Sequence, residues 1–427
     1  MTPMHPTTSS SGPERAWLVA TSLGDQPNAE VEDSLRELRA LAATAHAEVL
    51  GETLCRLRTL QPATYIGRGK ALQIAAALQS AGADLVIFDD DLSPAQGRSL
   101  EDLLGVRVVD RTQLILDIFA QRALTLEGGL QIELAQLHYL IPRLRGLWTH
   151  LERQKGGIGL KGPGEKQLEL DRRRIEQRIG RIREQLQQVR QRRAELRRGR
   201  RRHGWALLTL VGYTNAGKST LLNRLTNAGV LADDKLFATL DPTTRQLQLP
   251  NHQLCLLTDT VGFIRKLPHH LVEAFKATLE EVNEADLLLH VIDASQPRVD
   301  EQIAAVEAVL KELGAQDKPV LAVFNKTDLE RGRNQAIRLA ERFRHSVAMS
   351  AATGEGTPAL CQAIADLLRD RVAHLRLKIP AGEGRWIAAI HANGKVHAQK
   401  VSGKHLLVEA TVSAGFAATL DPKWICG

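Results

Sequence analysis

Two hydrophobic periods alternate along the first third of the chain. Short apolar runs, AWLVAT (16–21), AEVLGETL (47–54), ATYIG (63–67), DLVIFDD (84–90) and VRVVD (106–110), predict strands. Between them, 29–44, 69–81 and 93–104 carry the 3.6-residue spacing of helices. That alternation predicts an α/β domain with a parallel sheet over 16–127, behind a Thr/Ser/Pro-rich tail at 1–15. The period then changes. GGLQIELAQLHYLIPRLR (128–145) predicts one helix, and apolar residues recur at Leu168, Ile175, Ile179, Ile182, Leu186, Val189 and Leu196. From Ile175 the steps are four, three, four, three and seven, a heptad seam. An antiparallel helical hairpin is expected over 128–203, its two arms joined by a loop at about 146–164 that holds six glycines. The strand–helix alternation resumes over 204–370 with ALLTLVG, QLCLLTDT, LLLHVIDAS and PVLAVFNK, all of buried-strand type. The remainder, 371–427, offers LRLKIP, a short helix near EGRWIAAIHANG, then KVHAQKV and HLLVEATV, and predicts a small α+β domain.

Composition changes this picture in one respect. Apolar residues make up 43% and charged residues 25% of the 427, ordinary for a globular chain, but aromatics are only 4%, so aliphatic side chains must fill the cores. The net charge of +7 is concentrated: Glu152 to Arg202 holds 18 Lys/Arg against 7 Asp/Glu, leaving the rest of the chain slightly acidic. A basic segment on an acidic body is an electrostatic footprint for a polyanion, most commonly nucleic acid. The four cysteines lack CxxC spacing and predict reduced thiols. No apolar run reaches 18 residues, and the N-terminal stretch lacks the apolar region of a signal peptide, so a cytoplasmic protein without a membrane span is expected.

The chemistry is concentrated in 204–370. GYTNAGKST (Gly212, Tyr213, Thr214, Asn215, Ala216, Gly217, Lys218, Ser219, Thr220) fits GxxxxGK[ST] and lies between a predicted strand and a predicted helix. Such a loop wraps phosphates with backbone N–H groups at a helix N-terminus, with Lys218 reaching the β- and γ-phosphates and Ser219 a Mg²⁺ ion. Three motifs follow in order. In DTVG (259–262), Asp259 is expected to hold the metal and the Gly262 N–H to meet the γ-phosphate. In NKTD (325–328), Asn325 suits the guanine carbonyl edge and Asp328 the ring N–H and amino group that adenine lacks, with Lys326 between them. In SAATGEG (350–356), N–H groups near Ser350 and Ala351 suit the guanine oxygen. Between the loop and DTVG, LFATLDPTTR (236–245) supplies a threonine to close over Mg²⁺; its FATLxP resembles the switch of Obg-related GTPases, and that resemblance makes Thr239 the first choice, with Thr243 and Thr244 as alternatives. The expected catalytic set is Lys218, Thr239 and Gly262, and the metal set Ser219, Thr239 and Asp259. Phe263 stands where Ras-like GTPases carry a water-positioning Gln, and an aromatic ring cannot hold a water. Either a partner supplies that group, or Phe263 packs in the core while another side chain serves.

These motifs resemble the translation-factor class of GTPases. With GGIGLKGPGEKQLELDRR (156–173), DTVGFIRKLPHHLVEAFKATLEE (259–281) and YIGRGK (65–70), the chain is similar to the HflX family of ribosome-associated GTPases over about 16–427. The resemblance implies a GTP/GDP cycle, a large-subunit partner whose RNA the glycine-rich loop reaches near the peptidyl-transferase region, and the splitting or rescue of stalled ribosomes. Arg153, Lys155, Lys161 and Lys166 are the candidate RNA contacts, with Trp148 or His150 for stacking. A monomer is expected. Competing readings are a GTPase of subunit assembly or RNA modification, and a nucleotide-gated RNA-binding scaffold. GRGK at 67–70 reads as a plain strand-to-helix turn.

Overall fold

A computed structural model describes residues 12–24, 27–144, 163–202, 205–226, 236–251, 253–266, 280–369 and 372–426. They form two compact units, one up to Leu186 and one from Gln187 on.

The first unit is built on four parallel strands, β1 (Arg15–Leu23), β2 (Glu48–Leu57), β3 (Leu85–Phe88) and β4 (Arg107–Val109), in the order β2-β1-β3-β4. Helices α1 (Asn28–Thr44), α2 (Arg68–Ala81), α3 (Pro94–Leu104) and α4 (Arg111–Arg122) make the crossovers. All four residues of β3 are buried, as a strand covered on both faces requires. Two departures from the sequence reading stand out. The chain enters β1 at Arg15, one residue inside the predicted tail. ATYIG forms no strand: Tyr65 sits at φ +63 and pairs only with Gln61, closing a turn before α2. Its apolar residues Tyr65 and Ile66 are buried all the same, which is why the run looked like a strand.

Local chemistry sets the helix ends. Ser93 caps α3 with a full capping box to Gln96, Pro94 takes the first helical turn, and Gly105 ends the helix in the left-handed region. Asp110 caps α4 by accepting from the Gln113 N–H. Behind that cap, Arg111 is buried and donates to Asp89 Oδ1 at 2.6 Å and to Glu37, while Ser34 donates to Asp89 Oδ2 at 2.6 Å. This joins α1, β3 and α4 at the carboxyl end of the sheet.

Helix α5 (Leu126–Leu144) is followed by the 40-residue α6 (Pro163–Arg202). Leu130, Ile182 and Leu186 form a shared apolar cluster with Leu134 and Leu137 against it. Ile179 is buried too, as the predicted seam requires, whereas Ile175 and Val189 are half-buried. Arg178 makes a two-pronged contact to Glu133 at 2.6 and 2.7 Å across the pair, exposed and so of small energetic value. The glycine-rich segment with Trp148, His150, Arg153, Lys155 and Lys161 lies outside the described residues, as do the side chains of Lys166, Leu168 and Leu196. The expected loop is shorter at its far end, since Gly164 is already helical, and the basic run 197–202 continues α6 instead of breaking it.

In the second unit, β5 (Ala206–Gly212), β6 (Thr243–Gln248), β7 (Leu254–Asp259), β8 (Leu287–Asp293), β9 (Val320–Asn325) and β10 (Ser346–Ala348) form a sheet in the order β10-β9-β8-β5-β7-β6, parallel except for the β6–β7 pair. Its helices are α7 (Lys218–Thr226), the short α8 (Glu280–Glu284), α9 (Val299–Glu312), α10 (Glu330–Ala340) and α11 (Thr357–Leu367). The sequence reading misses β6 and β10. Strand β6, TTRQLQ, buries only Leu247, and β10 buries nothing fully, so neither presents an apolar run. A three-stranded antiparallel sheet follows, β11 (Val372–Pro380), β13 (His405–Ser413) and β12 (Gly394–Ser402) in that order, with α12 (Gly384–Asn393) over its apolar face, as the α+β expectation required.

Arg111 generates a prediction. Arg111→Met leaves Asp89 buried without its guanidinium partner, and breaking a buried pair from one side costs about 3–5 kcal/mol. Native-state hydrogen exchange of the β3 amides should show protection falling accordingly. Unchanged protection there would mean that the pair contributes nothing to the first unit.

Candidate functional site

The site lies at the carboxyl ends of β5, β7 and β9, where an open parallel sheet binds ligands. β5 delivers Gly212 and, six residues on, α7 starts at Lys218. The intervening turn is tight enough that side chains are excluded at defined points. A Cβ on Gly217, which sits at φ +95, would fall 2.2 Å from Asn325 Nδ2. One on Gly262 would lie 2.7 Å from Thr214 Cα and 3.0 Å from Lys218 Nζ. DTVG therefore lies directly against the phosphate-loop sequence, with no room for anything larger than glycine at its end.

Lys218 is buried, and its ammonium donates to the carbonyls of Gly212 at 3.2 Å and Tyr213 at 2.9 Å. Burial pushes its pKa down to about 8, against the pull of Asp259. Asp259 is also fully buried, and burial raises its pKa, opposed by Lys218 and by the hydroxyls of Ser219 and Thr239. Those hydroxyls both reach Asp259 Oδ2, Ser219 at 2.6 Å and Thr239 at 2.9 Å, and stand 2.7 Å from each other. Among the described residues, Asp259 Oδ1 is buried with no hydrogen-bond partner. Two hydroxyls and a carboxylate converge, one carboxylate oxygen is orphaned, and every donor atom is a hard oxygen. This set fits Mg²⁺. Of the three candidate threonines, Thr239 is the one brought to Ser219 and Asp259. Thr243 and Thr244 belong to β6, where Thr244 Oγ1 bonds Thr258 Oγ1 at 2.9 Å.

The segments flanking this cluster are tied to the loop by backbone groups. The Phe237 N–H donates to Thr214 Oγ1 at 3.0 Å. Phe263 donates its N–H to the Gly212 carbonyl at 3.1 Å and accepts from the Thr214 N–H at 2.7 Å, and the Arg265 N–H donates to the Tyr213 hydroxyl at 2.9 Å. The Phe263 ring is buried at 1% exposure. It packs as a core residue, and no side chain at this position faces a reacting water.

The other two motifs close on the same loop. Asn325 donates from Nδ2 to the Ala216 carbonyl at 2.8 Å and accepts at Oδ1 from the Ala351 N–H at 2.8 Å. The Ser350 N–H donates to the Glu355 carbonyl at 3.0 Å. The sequence reading aimed N–H groups near Ser350 and Ala351 at the guanine oxygen; here the N–H groups of those two residues are committed within the protein, that of Ala351 to Asn325 and that of Ser350 to Glu355. Lys326, at φ +64, turns its ammonium to Asp293 at 2.7 Å, and Asp328 is exposed beyond it. Asn215 (φ +59) is exposed and Thr220 half-buried. Sequence reasoning missed Arg224, which donates to the Ala351 carbonyl at 3.1 Å and to that of Ala352. An arginine in the second turn of a helix carries no motif that would have marked it.

A strand–loop–helix with a buried lysine, a hydroxyl–carboxylate cluster behind it, and an NKTD strand end locked to the same loop define a P-loop GTPase. Comparison with known proteins agrees. Residues 32–120 match the family described as GTP-binding GTPase N-terminal, 122–200 that described as GTP-binding GTPase middle region, and 208–326 that described as 50S ribosome-binding GTPase. The GTPase HflX of Lacrimispora saccharolytica is 47% identical over 95% of this chain and 95% of its own. That of Escherichia coli is 52% identical over 83% and 84%. A GTP-binding protein of Sulfolobus solfataricus, solved with GDP, aligns over 84% of this chain and 99% of its own at 24% identity and a TM-score of 0.44. The chain belongs to the HflX family of GTPases. Among the described residues no helix is long and apolar enough to cross a membrane.

Base selection can be tested at Asp328. Asp328→Asn replaces an acceptor by a mixed donor and acceptor, which suits the 2-oxo group of xanthine in place of the 2-amino group of guanine. Affinity for GDP should fall, and affinity for xanthosine diphosphate should rise, each by about tenfold or more, since hydrogen bonds to charged groups are worth about 1.5–3 kcal/mol. Unaltered GDP binding in the variant would remove Asp328 from the base site.

Proposed function

We propose that this GTPase works on the large ribosomal subunit, is switched on by it, and uses the cycle to split or rescue stalled ribosomes in the cytoplasm, acting as a monomer. The observation that carries the proposal is the buried Phe263 ring. Hydrolysis needs a water aligned on the γ-phosphorus and stabilisation of the charge that develops as GDP leaves. Lys218 supplies a charge held in place by two carbonyls, and Gly262 packs against the same loop, where its N–H is the proposed γ-phosphate donor. Ser219, Thr239 and Asp259 would hold Mg²⁺, which would supply charge neutralisation at the phosphates. Asn325, Lys326 and Asp328 receive the guanine. The water remains without a positioning side chain at 263, so a partner completes the site.

Two features support a ribosomal partner. The match of 208–326 to a family described as 50S ribosome-binding fits it. So does the basic character of 152–202, which suits an RNA backbone and gives binding that weakens steeply with salt. Arg153, Lys155, Lys161 and Lys166 are the proposed RNA contacts.

Single-turnover GTP hydrolysis of the full chain, alone and with saturating purified large subunits, tests the proposal. Groups supplied in trans accelerate GTPases by roughly 10³–10⁵-fold, and an increase of that order is expected. Deleting 153–164 should abolish the increase and leave GDP affinity as it was. Equal rates with and without large subunits would overturn ribosome activation. Stimulation by precursor particles alone would point to assembly, and no multiple turnover with any ribosomal fraction would point to a nucleotide-gated scaffold.

A further inference from the structure

The base-reading loop, 350–356, runs between β10 and α11 and is closed on itself. The Gly354 N–H donates to the Ser350 carbonyl at 2.8 Å, the Thr353 N–H to Ser350 Oγ at 3.2 Å, and the Ser350 N–H to the Glu355 carbonyl at 3.0 Å. Its internal bonds fix the loop's shape but not its orientation toward the phosphate loop. Two side chains from outside do that. Asn325 takes the Ala351 N–H, and Arg224 takes the next two carbonyls, Ala351 through Nε at 3.1 Å and Ala352 through Nη2.

The second contact has a stereochemical consequence. All described peptides are trans, and in a trans peptide the C=O and N–H point in opposite directions. With the Ala351 carbonyl drawn to Arg224, the N–H of the same peptide, that of Ala352, is turned away from α7. Among the described residues this N–H donates to nothing, whereas its neighbours Ser350, Ala351 and Thr353 are all committed. The guanidinium fork is rigid and planar and fixes two successive carbonyls in one plane, an orientation that the rotatable ammonium of a lysine does not impose. Arg224 also lies on α7, the helix that begins with Lys218 and Ser219. One helix thus carries the phosphate lysine, a metal-site hydroxyl and the clamp on the base loop.

We infer that Arg224 is a specificity-positioning residue: it orients the Ala351–Ala352 peptide so that the Ala352 N–H meets the 6-oxo group of guanine. The inference rests on the proposed placing of guanine between Asn325, Asp328 and loop 350–356. Among the N–H groups near Ser350 and Ala351, it gives the oxygen-reading role to the amide that Arg224 aims, since those of Ser350 and Ala351 are spent on the protein. Arg224 itself touches no part of the nucleotide.

Varying the ligand atom and the residue together separates aim from general support. Affinities of the full chain are measured by titration calorimetry for GDP, for 6-thioguanosine diphosphate and for inosine diphosphate. The thio analogue keeps the ring N–H and the 2-amino group but presents a weak acceptor at position 6; the inosine analogue keeps the 6-oxo group and lacks the 2-amino group. Wild type should prefer GDP to the thio analogue by about tenfold, the affinity equivalent of one hydrogen bond. Arg224→Met keeps the apolar stem and should weaken GDP by about tenfold and the thio analogue by less than about twofold, collapsing that preference. Its GDP-to-inosine ratio should stay as in wild type, because that ratio reads Asp328. Arg224→Lys, which keeps the charge but not the planar fork, should fall between the two, and it carries the test should the methionine variant fold poorly. Equal weakening of all three ligands would make Arg224 a structural brace and overturn the inference. So would unchanged GDP affinity in both variants. A wild-type chain that does not distinguish GDP from the inosine analogue would overturn the base-site reading itself, and the inference with it.

Discussion

A single carboxamide holds the nucleotide site together. Asn325 ends β9, the strand that carries NKTD, and its side chain bonds Ala216 in the phosphate loop and Ala351 in the base loop. Three segments far apart in sequence meet in this one group, and both of its contacts are to backbone. An aspartate would set a carboxylate oxygen against the Ala216 carbonyl. An aliphatic residue would leave a buried C=O and a buried N–H unpaired, at about 1–3 kcal/mol each. The constraint extends to Gly217, where the approach of Asn325 leaves no space for a Cβ. The strand end, the phosphate loop and the base loop are thus a single construction, and none of the three can be repacked alone.

The electrostatics depend on the same compactness. Lys218 and Asp259 are both withdrawn from water, and burial disfavours the charged form of each. Neither charge is quenched by a surface counter-ion. The lysine leans on two carbonyls, and the aspartate on two hydroxyls that use only one of its oxygens. A lysine held below its ordinary pKa and a carboxylate held above its own are each relieved by a ligand of opposite sign. A polyphosphate with its divalent cation brings both signs at once, so nucleotide and metal would satisfy complementary halves of one arrangement.

Most of the architecture was legible because buried parallel strands must be apolar. β3, β5, β8 and β9 read directly from their runs. The failures follow the same rule from the other side. ATYIG is apolar because its turn is buried, and β6 is polar because it pairs at the sheet edge and buries only Leu247. At the site, motif spacing located Lys218, Ser219, Asp259 and Asn325, and Thr239 was separable from Thr243 and Thr244 only by resemblance. What spacing does not encode is which backbone groups are already spent. The commitment of the Ser350 and Ala351 N–H groups, and the clamp by Arg224, depend on how loops fold back on one another, and no local pattern in GKSTLLNRL or SAATGEG announces it.

The anchoring of Thr239 has a kinetic corollary. Two residues before it, Phe237 is pinned to Thr214, and four residues after it β6 begins, registered on β7 from Thr243. At about 3.3–3.6 Å per residue the four-residue leash spans at most about 14 Å when taut. A hydroxyl on so short a tether has little volume to explore, and its effective concentration at a cation held by Ser219 and Asp259 would be in the millimolar range or higher. The loop-closure entropy for recruiting it is correspondingly small. Capture and release of this ligand therefore amount to the flicker of a short arc, fast beside the arrival of a nucleotide or a macromolecular partner, and the slow steps of the cycle belong to those arrivals.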